Sequence, residues 1–329
     1  MKKICLSVLL FIFAVNIFAM GGQEDTSSKS GSSLVKIENF NHTTEYSKVP
    51  ERIISLSAGE AEMLAALGLE DKIIAVGLGH NTINDIMPEY RDKIKNKPML
   101  KEVSLEYLLS LAPDFIVTTS YPFNLPAMGN YADYVNNNVK LYVTEGTYVK
   151  NCTLQNTYND IMNIGKIFKI EKRASALIEK MKQREKAVTE KLKNVKPVRC
   201  FVFDSNANDK YFSAGGTGLY NSLLKLAGGK NIFDDLDKQW GSVVIEEIIA
   251  RNPDVILIDA YEISESGTHT KDDGQVKMDF LKSKKELSGI SAIKNNKFII
   301  VPLIQLFPGL QNLNALETIA KGLHHELFK

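Results

Sequence analysis

Residues 153–194 constrain this chain more than any other stretch. About forty residues pass with no proline and a single glycine, Gly165. Nothing in such a run breaks a helical hydrogen-bond ladder, so the stretch reads as helix. In its first half, Leu154, Tyr158, Ile161, Met162, Ile164, Ile167, Phe168 and Ile170 cover most of a helix circumference. That pattern calls for burial between two bodies rather than on one. Over residues 172–193 the apolar positions narrow to Leu177, Met181, Val188 and Leu192 among lysines and glutamates, the pattern of a helix lying on one body. An α/β segment of similar length stands on each side. The expected architecture is therefore α/β: two Rossmann-like lobes with parallel sheets, joined by a single long backbone helix, with a ligand cleft between them.

The expected divisions are a signal segment at 1–21, a tether and edge segment at 22–47, an N-terminal lobe at 48–152, the linking stretch at 153–194 and a C-terminal lobe at 195–329. A chain of this length ordinarily makes two domains. Lys2 and Lys3 precede an apolar run over residues 4–18, and Ala19-Met20-Gly21 has the small-x-small form of a cleavage site. Some fifteen apolar residues fall short of the roughly 20 that span a bilayer. The chain is therefore expected in the periplasm, cleaved near Gly21. Lipidation would require a cysteine just after the apolar core. Cys5 lies at its start and the next cysteine is Cys152, so no lipoprotein is expected. Cys152 and Cys200 fix no disulfide framework, and pairing and separate buried thiols both stay open.

The formal charge is +1, and loss of Lys2 and Lys3 with the signal segment would leave −1. A near-neutral chain gives no electrostatic reason to expect nucleic acid. There are 34 lysines but only 6 arginines, so the usual bidentate grip on carboxylates and phosphates is scarce.

Strands are expected at residues 53–56, 73–76, 115–119 and 141–143, and again at 198–203, 255–258 and within 297–302. Helices intervene at 60–67, 105–111, 219–227, 246–250 and 314–328. A segment with Glu106, Pro113 and Asp114 recurs as Glu246, Pro253 and Asp254 at a constant offset of 140, each time before an apolar strand. This favours two similarly built lobes. In open parallel sheets ligands meet the carboxyl ends of the strands, and the loops there are rich in aromatics. Tyr121, Tyr211, Trp240 and Phe307 are the ring candidates for the cleft, with His80 and Lys210 as the cations of the same loops; His269 and Lys271 lie further out, and no arginine is among them. No catalytic residue is assigned, because neither a nucleophile elbow nor a phosphate loop is present. Gly215-Gly-Thr-Gly218 reads as a tight entry into a helix. The five histidines show no metal-ligand spacing, so no metal site is assigned.

Several segments resemble one family in order: Pro50-Glu-Arg-Ile-Ile-Ser-Leu-Ser57, Glu62-Met-Leu-Ala-Ala-Leu-Gly68, Leu111-Ala-Pro-Asp114, Leu226-Ala-Gly-Gly229-Lys-Asn231, Asn252-Pro-Asp254 and Ala320-Lys-Gly-Leu-His324. They are similar to the periplasmic substrate-binding proteins of ABC importers for iron–siderophore, haem and cobalamin-type ligands. The resemblance covers roughly residues 48–328. It implies two lobes bridged by a long helix with little hinge closure. It also implies a membrane permease with its ATPase as partner, and docking through one glutamate per lobe. Glu62 matches the N-lobe docking position, whereas Lys225 stands where the C-lobe glutamate would be sought. The expected function is a monomeric, non-enzymatic receptor for an iron complex (siderophore or haem). It needs no cofactor of its own, although the metal-chelate ligand carries Fe or Co. A corrinoid receptor is the close alternative. A two-lobed nucleotide-sugar transferase and a bare Zn or Mn carrier stand further off.

Overall fold

The structure, a computed structural model, describes residues 34–261 and 273–329. The expected signal segment, Cys5, His269 and Lys271 lie outside the described residues. β1 (Val35–Asn39) and β2 (His42–Tyr46) form an antiparallel hairpin turned by Phe40 and Asn41 at positive φ. The β-branched and aromatic runs that follow become buried strands. These are β3 (Ile53–Ser55), β4 (Ile73–Val76), β5 (Phe115–Thr118) and β6 (Lys140–Val143), parallel throughout in the order β4-β3-β5-β6. Their connections carry α1 (Ala58–Ala66), α2 (Pro88–Ile94), α3 (Leu105–Ser110) and α4 (Tyr131–Asn136).

The linking stretch is not one rod. Thr153 caps α5 (Leu154–Ile167) by accepting from the Gln155 amide, and Lys169 ends the helix at φ 57°. α6 (Glu171–Lys191) then folds back along it. The Tyr158 hydroxyl reaches Glu185 at 2.7 Å across the pair. Gly165 sits where the two helices cross, since a Cβ there would lie 2.5 Å from the Ala174 methyl. The bridge between the sheets is α6. At about 1.5 Å per residue its 21 residues run about 30 Å, from Arg173 on the Leu67 carbonyl to Lys191 over the Phe328 ring. It buries Ala174, Ile178, Met181 and Val188 along one stripe.

The second half carries, in order, β7 (Val198–Phe203), β8 (Ser205–Ala207), β9 (Lys210–Ala214), α7 (Leu219–Leu226), β10 (Gly229–Asn231), β11 (Trp240–Val244), α8 (Ile245–Arg251), β12 (Val255–Ala260), α9 (Asp273–Ser283), α10 (Ser291–Lys294), β13 (Phe298–Pro302) and α11 (Asn312–Leu323). A second parallel sheet has the order β10-β7-β12-β13. A small antiparallel sheet, β11-β9-β8, stands where no strand is expected from the sequence.

The repeated helix–Pro–Asp–strand segment is the same device twice. Ala112 and Asn252 both turn at positive φ. The Asp114 amide donates to the Arg52 carbonyl, and the Asp254 amide to the Arg199 carbonyl. The Arg52 guanidinium caps the Leu111 and Ala112 carbonyls, and Arg199 caps those of Arg251 and Asn252. Orphan carbonyls at a helix end are thus satisfied alike in both halves.

One apolar cluster runs from Ile53 and Phe115 through Ile161, Ile164 and Met181 to Leu223, Leu257 and Leu316. A core continuous from one sheet to the other opposes free hinge motion, since opening it would expose apolar area at about 25 cal/mol per Å². Cys152 and Cys200 are separate, buried free thiols, which answers the pairing question.

Candidate ligand-binding cleft

The carboxyl ends of both parallel sheets face a cavity of about 430 Å³. His80 follows β4, Tyr121 follows β5 and Gly146 follows β6. From the other half, Asp204 follows β7, Tyr261 follows β12, and Leu303, Phe307 and Pro308 follow β13. Rings from the two halves meet across the space. Tyr121 packs edge-on against Phe307 at 5.7 Å between centroids, and His80 approaches Tyr261 at 5.9 Å. Trp240, the first residue of β11, stacks on Phe212 at 5.9 Å with the planes 14° apart, and the Tyr220 ring lies at the same centroid distance, tilted by 37°. An adjoining space of about 650 Å³ shares His80, Tyr121 and Phe307 and is walled by Leu56, Leu78, Leu100 and Leu125 of the first half.

Of the ring candidates, Tyr121, Trp240 and Phe307 line the cavity, as does His80. Tyr211 does not. It is buried in a separate cluster with Phe203 and Phe280, and its neighbour Phe212 takes the cleft position. The reason is strand geometry. Both residues lie in β9, whose side chains alternate between faces. Asp204, Tyr220 and Tyr261 complete the wall. Asp204 and Tyr220 carried no signal of their own, because their placement depends on which strand ends converge.

Burial pushes the Tyr121 hydroxyl up to about 12, opposed by its hydrogen bond with Trp240. Burial also raises Tyr261, with the Asp204 charge adding to it. Behind the wall, Asp259 is fully buried at the end of β12. Burial first, and then the negative charge of Asp204, hold its carboxyl well above the usual carboxylate range. Among the described residues no group of three or more His, Cys, Asp or Glu converges as a metal site.

Glu62 is corrected by its surroundings. Residues 58–65 of α1 are all buried, and Glu62 is 0% exposed. Its Oε2 accepts from the Met87 amide and from Gln311 Nε2, both at 2.8 Å, and Gln311 also donates to the Asp85 carbonyl. Burial, partly offset by these two hydrogen bonds, pushes its carboxyl up to about 7. A carboxylate held inside the junction between the two halves cannot meet a permease surface.

Two parallel α/β sheets whose strand ends face one apolar cleft, braced behind by a helix pair, define a two-lobed solute-binding protein. A family model described as periplasmic binding protein matches residues 53–303, and the chain belongs to that family. It is thus an extracytoplasmic substrate-binding protein of the kind that works with a membrane permease and its ATPase. Among its relatives is an uncharacterized ABC transporter substrate-binding lipoprotein, YvrC, of Bacillus subtilis. It is 24% identical over 337 positions, covering 100% of this chain and 99% of the relative. A vitamin B12-binding protein of Yersinia pestis is 25% identical over 214 residues, 63% of this chain and 69% of the relative. The crystal structure of a periplasmic binding protein from Veillonella parvula superposes with a TM-score of 0.78. It is 27% identical and covers 89% of this chain and 98% of that one.

Proposed function

We propose that the protein is a non-enzymatic, monomeric receptor that captures a metal chelate, either an iron complex (siderophore or haem) or a corrinoid, and passes it to an ABC permease. Its lobes are residues 48–152 and 195–329, and its mature chain, beginning near Gly22, acts in the periplasm. The observation that carries this reading is the convergence of Tyr121, Trp240, Phe212 and Phe307 from both halves on one apolar cavity. Flat, stiff rings give a bulky ligand a large contact area at low entropic cost. The core that joins the halves keeps the cleft formed before the ligand arrives, which lowers the ordering cost of binding. The Yersinia relative, named for vitamin B12, supports the corrinoid branch. The Bacillus relative is named a lipoprotein, whereas the expectation against lipidation rests on Cys5, outside the described residues.

The test is titration of the mature protein with ferric siderophores, haem and cyanocobalamin, following fluorescence of Trp240, the single tryptophan. Saturable submicromolar quenching by one class, with the affinity for that class weakened in Trp240→Phe by calorimetry, is the expected result. Turnover of a sugar nucleotide, or stoichiometric zinc or manganese retained after dialysis, would replace this reading with an enzyme or a bare-metal carrier.

A further inference from the structure

Asp204 sets the charge of the cleft. It follows β7 directly and lines the cavity. One of its oxygens, Oδ2, accepts from the Tyr261 hydroxyl at 3.1 Å and from the Ser205 hydroxyl at 2.8 Å, which fixes the orientation of the carboxyl group. Among the described residues lining this cavity there is no lysine or arginine, and His80 is the one basic side chain. Lys277, beside this wall, is committed elsewhere. Its Nζ pairs with Asp273 at 2.9 Å, donates to the Asp259 carbonyl at 2.6 Å and sits over the Tyr261 ring at 3.6 Å. In the adjoining space Lys101 is accompanied by Glu102. The remaining wall is mostly aromatic and aliphatic, so a charge inside it is poorly screened.

Resting on the receptor reading above, we propose that Asp204 selects chelates whose periphery is uncharged or cationic and offers N–H donors, and that it rejects anionic ones. Hydroxamate complexes with amine or amide groups and amide-rimmed corrinoids fit this class. Haem and catecholate complexes do not, because their carboxylate or phenolate charges ask for the arginine forks that this wall lacks. At an effective dielectric of about 20, a unit charge about 6 Å from Asp204 changes affinity roughly 100-fold.

The experiment compares ligands of one shape and different charge. Ferrioxamine B serves as the cation, its N-acetyl form as the neutral member and its N-succinyl form as the anion. Cyanocobalamin and its monocarboxylate form a second series, and haem is titrated alongside. In whichever series binds, the anionic member is expected to bind at least about tenfold more weakly than the neutral or cationic one. Asp204→Asn should bring the members within about threefold. Equal or tighter binding of the anionic member to the wild type overturns the proposal, as does an unchanged order in an Asp204→Asn protein that melts like the wild type. Binding of haem with both series silent overturns it while leaving the receptor reading standing. Binding of nothing defeats both. Should Asp204→Asn fail to fold, the wild type still decides. A preference made by the charge of Asp204 persists in Asp204→Glu, which keeps that charge, and a folded Asp204→Glu protein that binds the members equally refutes it.

Discussion

Glu62 offers the sharpest test of the junction between the two halves, because its two conceivable roles make opposite predictions. Its carboxyl is displaced from an ordinary 4.5 to about 7, chiefly by burial. The native state therefore holds this proton up to near neutrality while the unfolded chain releases it near 4.5. A raised carboxyl favours folding at low pH, and that advantage is lost as pH rises through the native value. At 1.36 kcal/mol per pH unit the displacement corresponds to about 3 kcal/mol of stability lost between about pH 4.5 and pH 7. Glu60, also buried in α1 and also raised to about 7, adds a loss of the same sign. Glu62→Gln keeps an oxygen for the Met87 amide and the Gln311 side chain but cannot ionise. Urea unfolding of wild type and variant at pH 5, 6, 7 and 8 measures the difference. The variant is expected to be slightly less stable at pH 5, where its amide N–H₂ meets a pocket that served an oxygen. By pH 8 it should be more stable by about 1–3 kcal/mol. Parallel pH profiles would refute the argument and return Glu62 to a solvent-facing position. Loss of transport in Glu62→Gln with an unaltered pH profile would restore the docking role.

Phe212→Ala should weaken cargo binding with little change in melting. Tyr211→Ala, one residue away but in the core, should cost about 3–5 kcal/mol in urea unfolding. Gly146→Ala would place a Cβ 2.6 Å from Pro308 Cγ and 3.3 Å from Leu219, so it should lower stability by about 1–3 kcal/mol and weaken ligand titrations by displacing Phe307. An unaltered melting temperature would show that the two halves are not in close contact there. Burial pushes the thiol of Cys152 up to about 11 and that of Cys200 up to about 12. Neither should react with Ellman's reagent in the native protein near neutral pH, and both should react once it is unfolded without reductant. Reaction of neither after unfolding would mean that they are joined.

What was readable in the sequence was whatever a few neighbouring residues decide. Ile53, Phe115, Phe201 and Val255 sit in short apolar runs bounded by turn residues, and all became central strands. The paired Pro–Asp turns were visible because Pro113 and Pro253 must break a helix wherever they stand. The misplacements share a different cause. Lys169 is neither glycine nor proline, so nothing local announced that the helix ends there. The turn is held by the close crossing of Gly165 and Ala174, which needs the rest of the hairpin to exist first. Which of Tyr211 and Phe212 faces the cleft is decided by the pairing of Tyr211 with Val243 and of Phe212 with Ser242, some thirty residues on. Glu62 is buried by Gln311, 249 residues downstream. Each of these is a long-range contact imposed on a locally permissive segment. The cleft is built from such contacts: its walls come from the ends of six parallel strands and from β9, β11 and α7, and its charge comes from Asp204, whose carboxylate is held by Tyr261, 57 residues downstream. Lobe architecture can therefore be inferred from apolar runs and breakers, whereas ligand selectivity resides in side-chain directions that only the assembled pair of sheets determines.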